Sequence, residues 1–217
     1  MRTLVLLVFC LAVGCLSQAP RPCRSPPLLT GSLAVMNKKV HAFAKYTYDA
    51  MGQRIRFKEM GTYENKTFGI DALLLFRKGI MYKIHHRNKT CKKERLTREH
   101  FHPMEIPRDA TLLGQVVLGS SSGPGQGLLV NTWHGEHKTR TGGMRKYLST
   151  FTEFGCIPVT FTHHTNRTGW VMTTFFNIVI GIQNPEEFIP PKFCKGAELD
   201  ETEEEADFYS VFNHVEN

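Results

Sequence analysis

Thirteen residues, Trp170 to Ile182, constrain the fold more than any other stretch of this chain. Trp170, Met172, Phe176, Ile178, Ile180 and Ile182 share one parity, with Thr174 as its single polar member. The opposite parity is also mainly apolar, so a central strand covered on both faces is expected. A buried helix fits the pattern too, but the β-branched and aromatic content favours a strand. Such a strand needs partners, and the chain supplies them. In Gln53 to Glu59, Ile55 and Phe57 alternate with Arg54, Arg56 and Lys58, which is period two with one dry and one wet face. Met51-Gly52 turns into this segment from a strand at His41 to Tyr48. Ile70 to Phe76 and Ile80 to His85 form a hairpin over Lys78-Gly79. Asn88 to Leu96 continues as a polar edge strand, followed by loop from Arg98 to Ala110 around Pro103 and Pro107. Leu112 to Leu118, Leu128 to Trp133, Tyr147 to Phe154 and Ile157 to His163 complete the strands, with Ser120 to Gly127 and His134 to Gly143 as loops. There is no internal repeat and no long amphipathic helix. The expected fold is mainly antiparallel β, as one large sandwich or partial barrel.

The N-terminus places this fold outside the cell. A basic start at Arg2, an apolar run from Leu4 to Leu16, and small residues at Ser17 and Ala19 make a secretory signal peptide over residues 1–19, cleaved between Ser17 and Ala19. The run is too short to span a bilayer. Residues 20–197 then form one β domain, opened by the extended segment Pro20-Arg21-Pro22-Cys23. Cys10 and Cys15 leave with the signal, while Cys23, Cys91, Cys156 and Cys194 remain. An even number of cysteines in an oxidising compartment implies two disulfides, with three pairings open. Asn65, Asn88 and Asn166 each begin an N-x-Thr sequon and are expected to be glycosylated in exposed turns. Charge is divided along the chain. Residues 20–197 hold 26 Lys and Arg against 12 acids, and residues 198–217 hold eight acids and no base. The tail is expected to be free and disordered. The basic body is either an ordinary solvated surface or a surface for anionic lipid and glycosaminoglycan. The cluster Lys92, Lys93, Arg95 and Arg98 reads first as a solubilising face, and as a site for partners it suggests extracellular polyanions rather than nucleic acid.

Catalytic motifs are few. Gly119-Ser120-Ser121-Ser122-Gly123 fits G-x-S-x-G, but Pro124-Gly125-Gln126-Gly127 follows it, where a nucleophile elbow requires a helix. It reads as a hairpin loop. His85-His86 and His163-His164 are adjacent pairs that point to opposite faces of a strand, so neither pair holds one metal. The acidic tail lacks the spacing of a high-affinity calcium loop, which leaves weak Ca²⁺ capture at an unknown site as the one cofactor to expect. No enzyme activity is expected. Against this, the chain has fifteen Phe and eight Met. If its sheets do not fill the space between them, the gap is an apolar pocket. The candidate lining is Phe43, Ile55, Phe57, Leu73, Leu75, Ile84, Trp133, Phe161, Phe176 and Ile178.

Several segments taken in order resemble the ependymin family. They include Pro20-Arg21-Pro22-Cys23, Tyr48-Asp49 before Gln53-Arg54-Ile55-Arg56, and Leu74-Leu75-Phe76-Arg77-Lys78-Gly79. Cys91 between lysines, Ile106-Pro107, Val130 to Trp133, and Cys156 with Pro158-Val159 follow. Phe175-Phe176-Asn177-Ile178, Asn184-Pro185 and Pro190-Pro191 before Cys194 close the series. The resemblance implies two stacked antiparallel sheets around a deep apolar pocket, similar to bacterial lipoprotein carriers, in a secreted and sometimes lysosomal glycoprotein that is often a homodimer. It implies calcium association, cell-matrix contact, and pairing of Cys23 with Cys156 and Cys91 with Cys194. The leading expectation is a secreted binder of lipids or other hydrophobic molecules. The alternative is a calcium-dependent cell-matrix adhesion glycoprotein.

Overall fold

The computed structural model describes residues 19–64, 66–96, 101–138, 144–165 and 169–204. Residues 1–18 of the expected signal segment, Asn65, Arg98 and Asn166 lie outside them. Among the described residues twelve strands run along the chain. They are β1 (Leu28–Met36), β2 (Val40–Asp49), β3 (Arg54–Tyr63), β4 (Lys66–Leu75), β5 (Ile80–His85) and β6 (Thr90–Leu96). These are followed by β7 (Thr111–Gly119), β8 (Gly127–Lys138), β9 (Met144–Thr152), β10 (Pro158–Thr165), β11 (Gly169–Ile180) and β12 (Leu199–Glu204). All belong to one hydrogen-bonded sheet in the order β12-β6-β5-β4-β3-β2-β1-β11-β10-β9-β8-β7. The mainly β class is as expected; where two stacked sheets were expected, the strands form one hydrogen-bonded sheet. Every neighbouring pair is antiparallel except β12 with β6, which is parallel. Leu199–Glu204 therefore corrects the expectation of a tail free from residue 198: its first residues complete the sheet. Residues beyond 204 lie outside the described part.

Register assigns the faces. Val40, Ala42, Ala44, Tyr46 and Tyr48 of β2 alternate inward, and their partners on β3 include Glu59, Phe57 and Ile55. The same face continues through Ala72 and Leu74 on β4, and Leu29, Leu33 and Val35 on β1. With Met81, Leu96, Tyr147, Phe161, Val171 and Phe175 these side chains form the main core. Gly31 makes room within it. Tyr46 lies over this glycine, so close that a Cβ there would stand 3.0 Å from the ring, and the ring thereby reaches Phe175 two strands away at 6.0 Å. Strand β1 was not anticipated in the sequence, because Thr30, Gly31 and Ser32 interrupt the apolar alternation of Leu29, Leu33 and Val35.

Two corrections concern which face is which. β11 is internal to the sheet, but its outward side is open: Trp170 is 53% and Met172 40% exposed. Its parity also changes midway. Asn177 sits in a left-handed backbone conformation with φ 53°, and the β1–β11 register shifts at the same place. This bulge leaves Val171, Thr173 and Phe175 inward before it and Ile178 packed against the core after it, while Phe176 points outward. The strand buried on both faces is instead the end of β4, where every residue from Asp71 to Leu75 is buried. β8 also runs on to Lys138, through a stretch expected to be loop.

Outside the sheet, two segments are fastened by disulfides. Cys23–Cys156 ties the N-terminal segment to the end of β9, where Ile106, Trp133 and Phe151 pack around it. Cys91–Cys194 ties the C-terminal segment over the outer face of β4–β6, where Leu73, Leu75, Ile84 and Phe188 form a second cluster.

Candidate functional site

The ten candidate pocket residues separate into four places. Ile55, Phe57, Phe161 and Ile178 come together on the inward face. Trp133 shares that face farther along the sheet, in the cluster around Cys156. Leu73, Leu75 and Ile84 have the opposite parity and fill the outer cluster beneath Phe188. Phe43 and Phe176 stack edge-on against each other on the outer face, 5.5 Å between ring centres, and Phe43 is 62% exposed. The last five thus do not line a common interior. The error has one origin: apolar residues on both sides of a strand look alike in sequence, and a bulge or a covering segment decides between them.

The outer face holds a polar network under the C-terminal segment. Arg56 makes a two-pronged ion pair with Asp71, at 2.5 and 2.7 Å, and donates a third hydrogen bond to the Glu187 carbonyl at 2.9 Å. His86 Nε2 joins Asp71 at 2.6 Å. Lys58 and Thr47 both bond the Glu187 carboxylate at 2.7 Å. Burial opposes ionisation of Glu187, but these bonds outweigh it and hold its carboxyl below the usual value. The network positions the turn Pro185–Phe188, whose Phe188 ring carries the Arg54 guanidinium at 4.3 Å. Beside it lies a cleft of about 350 Å³ between Gly52, Arg54, Leu75, Arg77, Lys78 and Phe188.

The inward face is apolar with a few buried polar groups. At its β5–β6 end, Glu94 receives Lys83 at 3.0 Å and Lys92 at 2.9 Å. At the β8–β9 end, Trp133 and Ser149 face each other across the strands, and neither Trp133 Nε1 nor Ser149 Oγ has a hydrogen-bond partner. Near the middle, Glu59 of β3 is 2% exposed, and neither of its carboxylate oxygens has a partner. Burial pushes its carboxyl up to about 7. Sequence reasoning missed Glu59 because it ends the alternating run from Gln53, where an acid reads as the next wet residue. Parity with Ile55 and Phe57 was the available signal for an inward position.

Other candidates are placed as follows. Asn88 is exposed in the turn between β5 and β6, as a glycan requires. Gly119–Gly123 leads from β7 through a loop to β8, with no helix after it. His163 is buried inward and His164 is exposed, edge-on to Trp170 at 5.3 Å. Among the described residues no group of three or more His, Cys, Asp or Glu is arranged to hold a metal ion, and no helix is long and apolar enough to cross a membrane.

The family model described as Ependymin matches residues 64–194. The chain is 34% identical to Ependymin of Notemigonus crysoleucas over 205 residues, covering 93% of this chain and 92% of that protein. It is 33% identical to Ependymin-2 of Carassius auratus, covering 93% of each, and 34% identical to Ependymin-2 of Salmo salar, covering 92% and 90%. The crystal structure of an uncharacterized conserved protein from Thermus thermophilus aligns at a TM-score of 0.47 and 8% identity, over 85% of this chain and 93% of that one.

Proposed function

The chain belongs to the ependymin family, and from that premise we propose that it is a secreted glycoprotein whose inward sheet face binds lipid-like hydrophobic molecules. One observation carries the reading. Buried polar groups in native cores are almost always paired, yet on this face Trp133 Nε1 and Ser149 Oγ, on neighbouring strands, are not. A face that is mainly apolar and carries a few such groups is the usual lining of a small-molecule site, where the polar atoms orient the ligand. The signal segment, the two disulfides and the exposed Asn88 sequon support export, and no step of this function calls for a catalytic group. The test is native mass spectrometry of the glycoprotein purified from conditioned medium, with lipid extraction of the same sample. Adducts of lipid mass are the expected result; a spectrum of bare glycoprotein alone contradicts the reading.

A second reading, cell-matrix contact, draws on the outer face. There the cleft at Arg54, Arg77 and Lys78 offers three cations to anionic groups, and any calcium would be held weakly by glycan or by the acidic tail. The homodimer implied by the family would use the outward apolar residues Phe43, Met60 and Met172, of which Met60 is 74% exposed. Salt-sensitive retention on heparin supports this second reading, and free passage at low salt removes it.

A further inference from the structure

Glu59 is a carboxylate where the surrounding sheet gives it nothing to bond. Its direct neighbours across the strands are Ala44 on β2 and Ile70 on β4, and neither has a polar side-chain atom. Phe57 and Gly61 flank it along its own strand on the same face, and Ala42, Tyr46, Phe68 and Ala72 occupy the diagonal positions. The titratable side chains on this face of the described strands are Tyr46 and Tyr48 on β2, Tyr63 on β3, Lys66 on β4, Lys83 and His85 on β5, Lys92 and Glu94 on β6, Arg145 and Tyr147 on β9, His163 on β10 and Asp200 on β12. None bonds Glu59, whose two oxygens are both without a partner. Among the described residues the other buried acids are ion-paired: Asp49 with Arg54, Asp71 with Arg56 and His86, Glu94 with Lys83 and Lys92. Glu59 is the exception among them, and it is on the face already read as the ligand-binding one.

We propose that Glu59 receives the cationic head of the ligand, so that the inward face takes a single-chain amphiphile bearing a basic amine in preference to a neutral or acidic one. This inference rests on the proposed binding of hydrophobic molecules and names the chemical class that the site prefers. The physical reason is the strength of the contact. A charge-assisted N–H···O bond is roughly twice as strong as a neutral one, and in a desolvated site an ammonium satisfies both the charge and the lone pairs of the carboxylate. Burial holds the empty carboxyl at about 7, so near neutral pH it is ready to ionise when a cation arrives. A fatty acid would meet like charge there, or a carboxyl that must stay protonated. The alkyl body lies along Phe57, Ala44, Leu33 and Phe175, which are all on this face.

The test uses the delipidated full glycoprotein, with dodecylamine, dodecanol and dodecanoate titrated at pH 7.4 by calorimetry. The wild type is expected to bind the amine about tenfold more tightly than the alcohol, and the acid least well. Glu59→Gln, which keeps the shape and removes the charge, is expected to bring the amine down to the affinity of the alcohol measured on the same variant. Alcohol binding with no preference for the amine in the wild type overturns the inference and leaves hydrophobic binding intact, and this measurement needs no variant to fold. Amine preference that survives Glu59→Gln overturns the assignment to Glu59. Failure of the wild type to bind any of the three overturns the binding reading, and the inference with it.

Discussion

At the scale of single residues, the molecule keeps two acids out of water by opposite means. Asp71 is held by the Arg56 fork, so charge is met by charge. Removing one partner of such a pair strands the other, at a cost of roughly 3–5 kcal/mol. Arg56→Met is therefore expected to lower the melting temperature steeply and to loosen the Pro185–Phe188 turn, whose backbone carbonyl Arg56 also holds. Arg56→Met with Asp71→Asn should recover much of the loss, as a thermal-melting double-mutant cycle would show. Glu59 has no such partner. Its carboxyl titrates near 7 in the folded state, against an ordinary value of 4.5 in the unfolded chain. Below the lower value both states carry the proton and the site is neutral in its effect. Between the two, the unfolded chain gives up the proton and the folded chain keeps it, so stability falls as pH rises, by about 3 kcal/mol in all once past 7. The ligand-free protein is expected to melt higher at pH 5 than at pH 8 by this contribution, and Glu59→Gln to flatten the difference. A wild-type profile with no such slope would mean that the carboxyl is solvated.

Elements depend on constraints that act far from the strands they fix. The stretch between β11 and β12 forms no strand of its own, and Cys91–Cys194 closes it across 103 residues of chain. Replacing both cysteines with serine is expected to cost about 4 kcal/mol on the chain-entropy account. Faster hydrogen exchange should then be confined to β6, β12 and the Pro185–Cys194 stretch. The bulge at Asn177 is a smaller constraint with a larger reach, because it decides that Phe175 faces in and Phe176 faces out. Asn tolerates a left-handed φ and valine does not, so Asn177→Val should destabilise by about 1–3 kcal/mol while Asn177→Gly stays near neutral, by chemical denaturation. The same residue explains what could be read from the sequence. Strand positions were legible wherever Ile55, Phe57 and their like alternate with charge, because period two is a local signal. The face of Phe43, Phe176, Leu73 and Leu75 was not, since it is set by a one-residue bulge and by a C-terminal segment more than a hundred residues away in sequence. Glu59 was lost for the same reason, as its inward parity competes with its polarity.

At the scale of the whole molecule, an open sheet must end twice, and its two ends differ. One end is β12, acidic and parallel to β6, with Asp200 3.2 Å from Lys92. The other is β7, Thr111–Gly119, with the sequence TLLGQVVLG. It pairs with β8 on one side only and so presents backbone N–H and C=O groups on the other. Proteins usually protect such an edge with Lys, Pro or a short strand. β7 has nine residues without a charge or a proline, and Leu113, Val116, Val117 and Leu118 are all exposed, Leu113 to 58%. Its one protective feature is the register shift between Leu112 and Gly114, which disturbs the pairing at the start of the strand. From Gly114 to Gly119 the edge is regular and uncharged, and laid antiparallel on a second copy it would set no like charges against each other. Leu113→Lys with Val116→Lys replaces two exposed side chains and buries nothing, so each should change stability by no more than about 0.5 kcal/mol. The expected outcome in light scattering of the heated glycoprotein is a marked delay of aggregation at an almost unchanged melting temperature. An equal aggregation rate in the variant would show that association starts elsewhere, with the outward patch of Phe43 and Met60 as the next surface to charge.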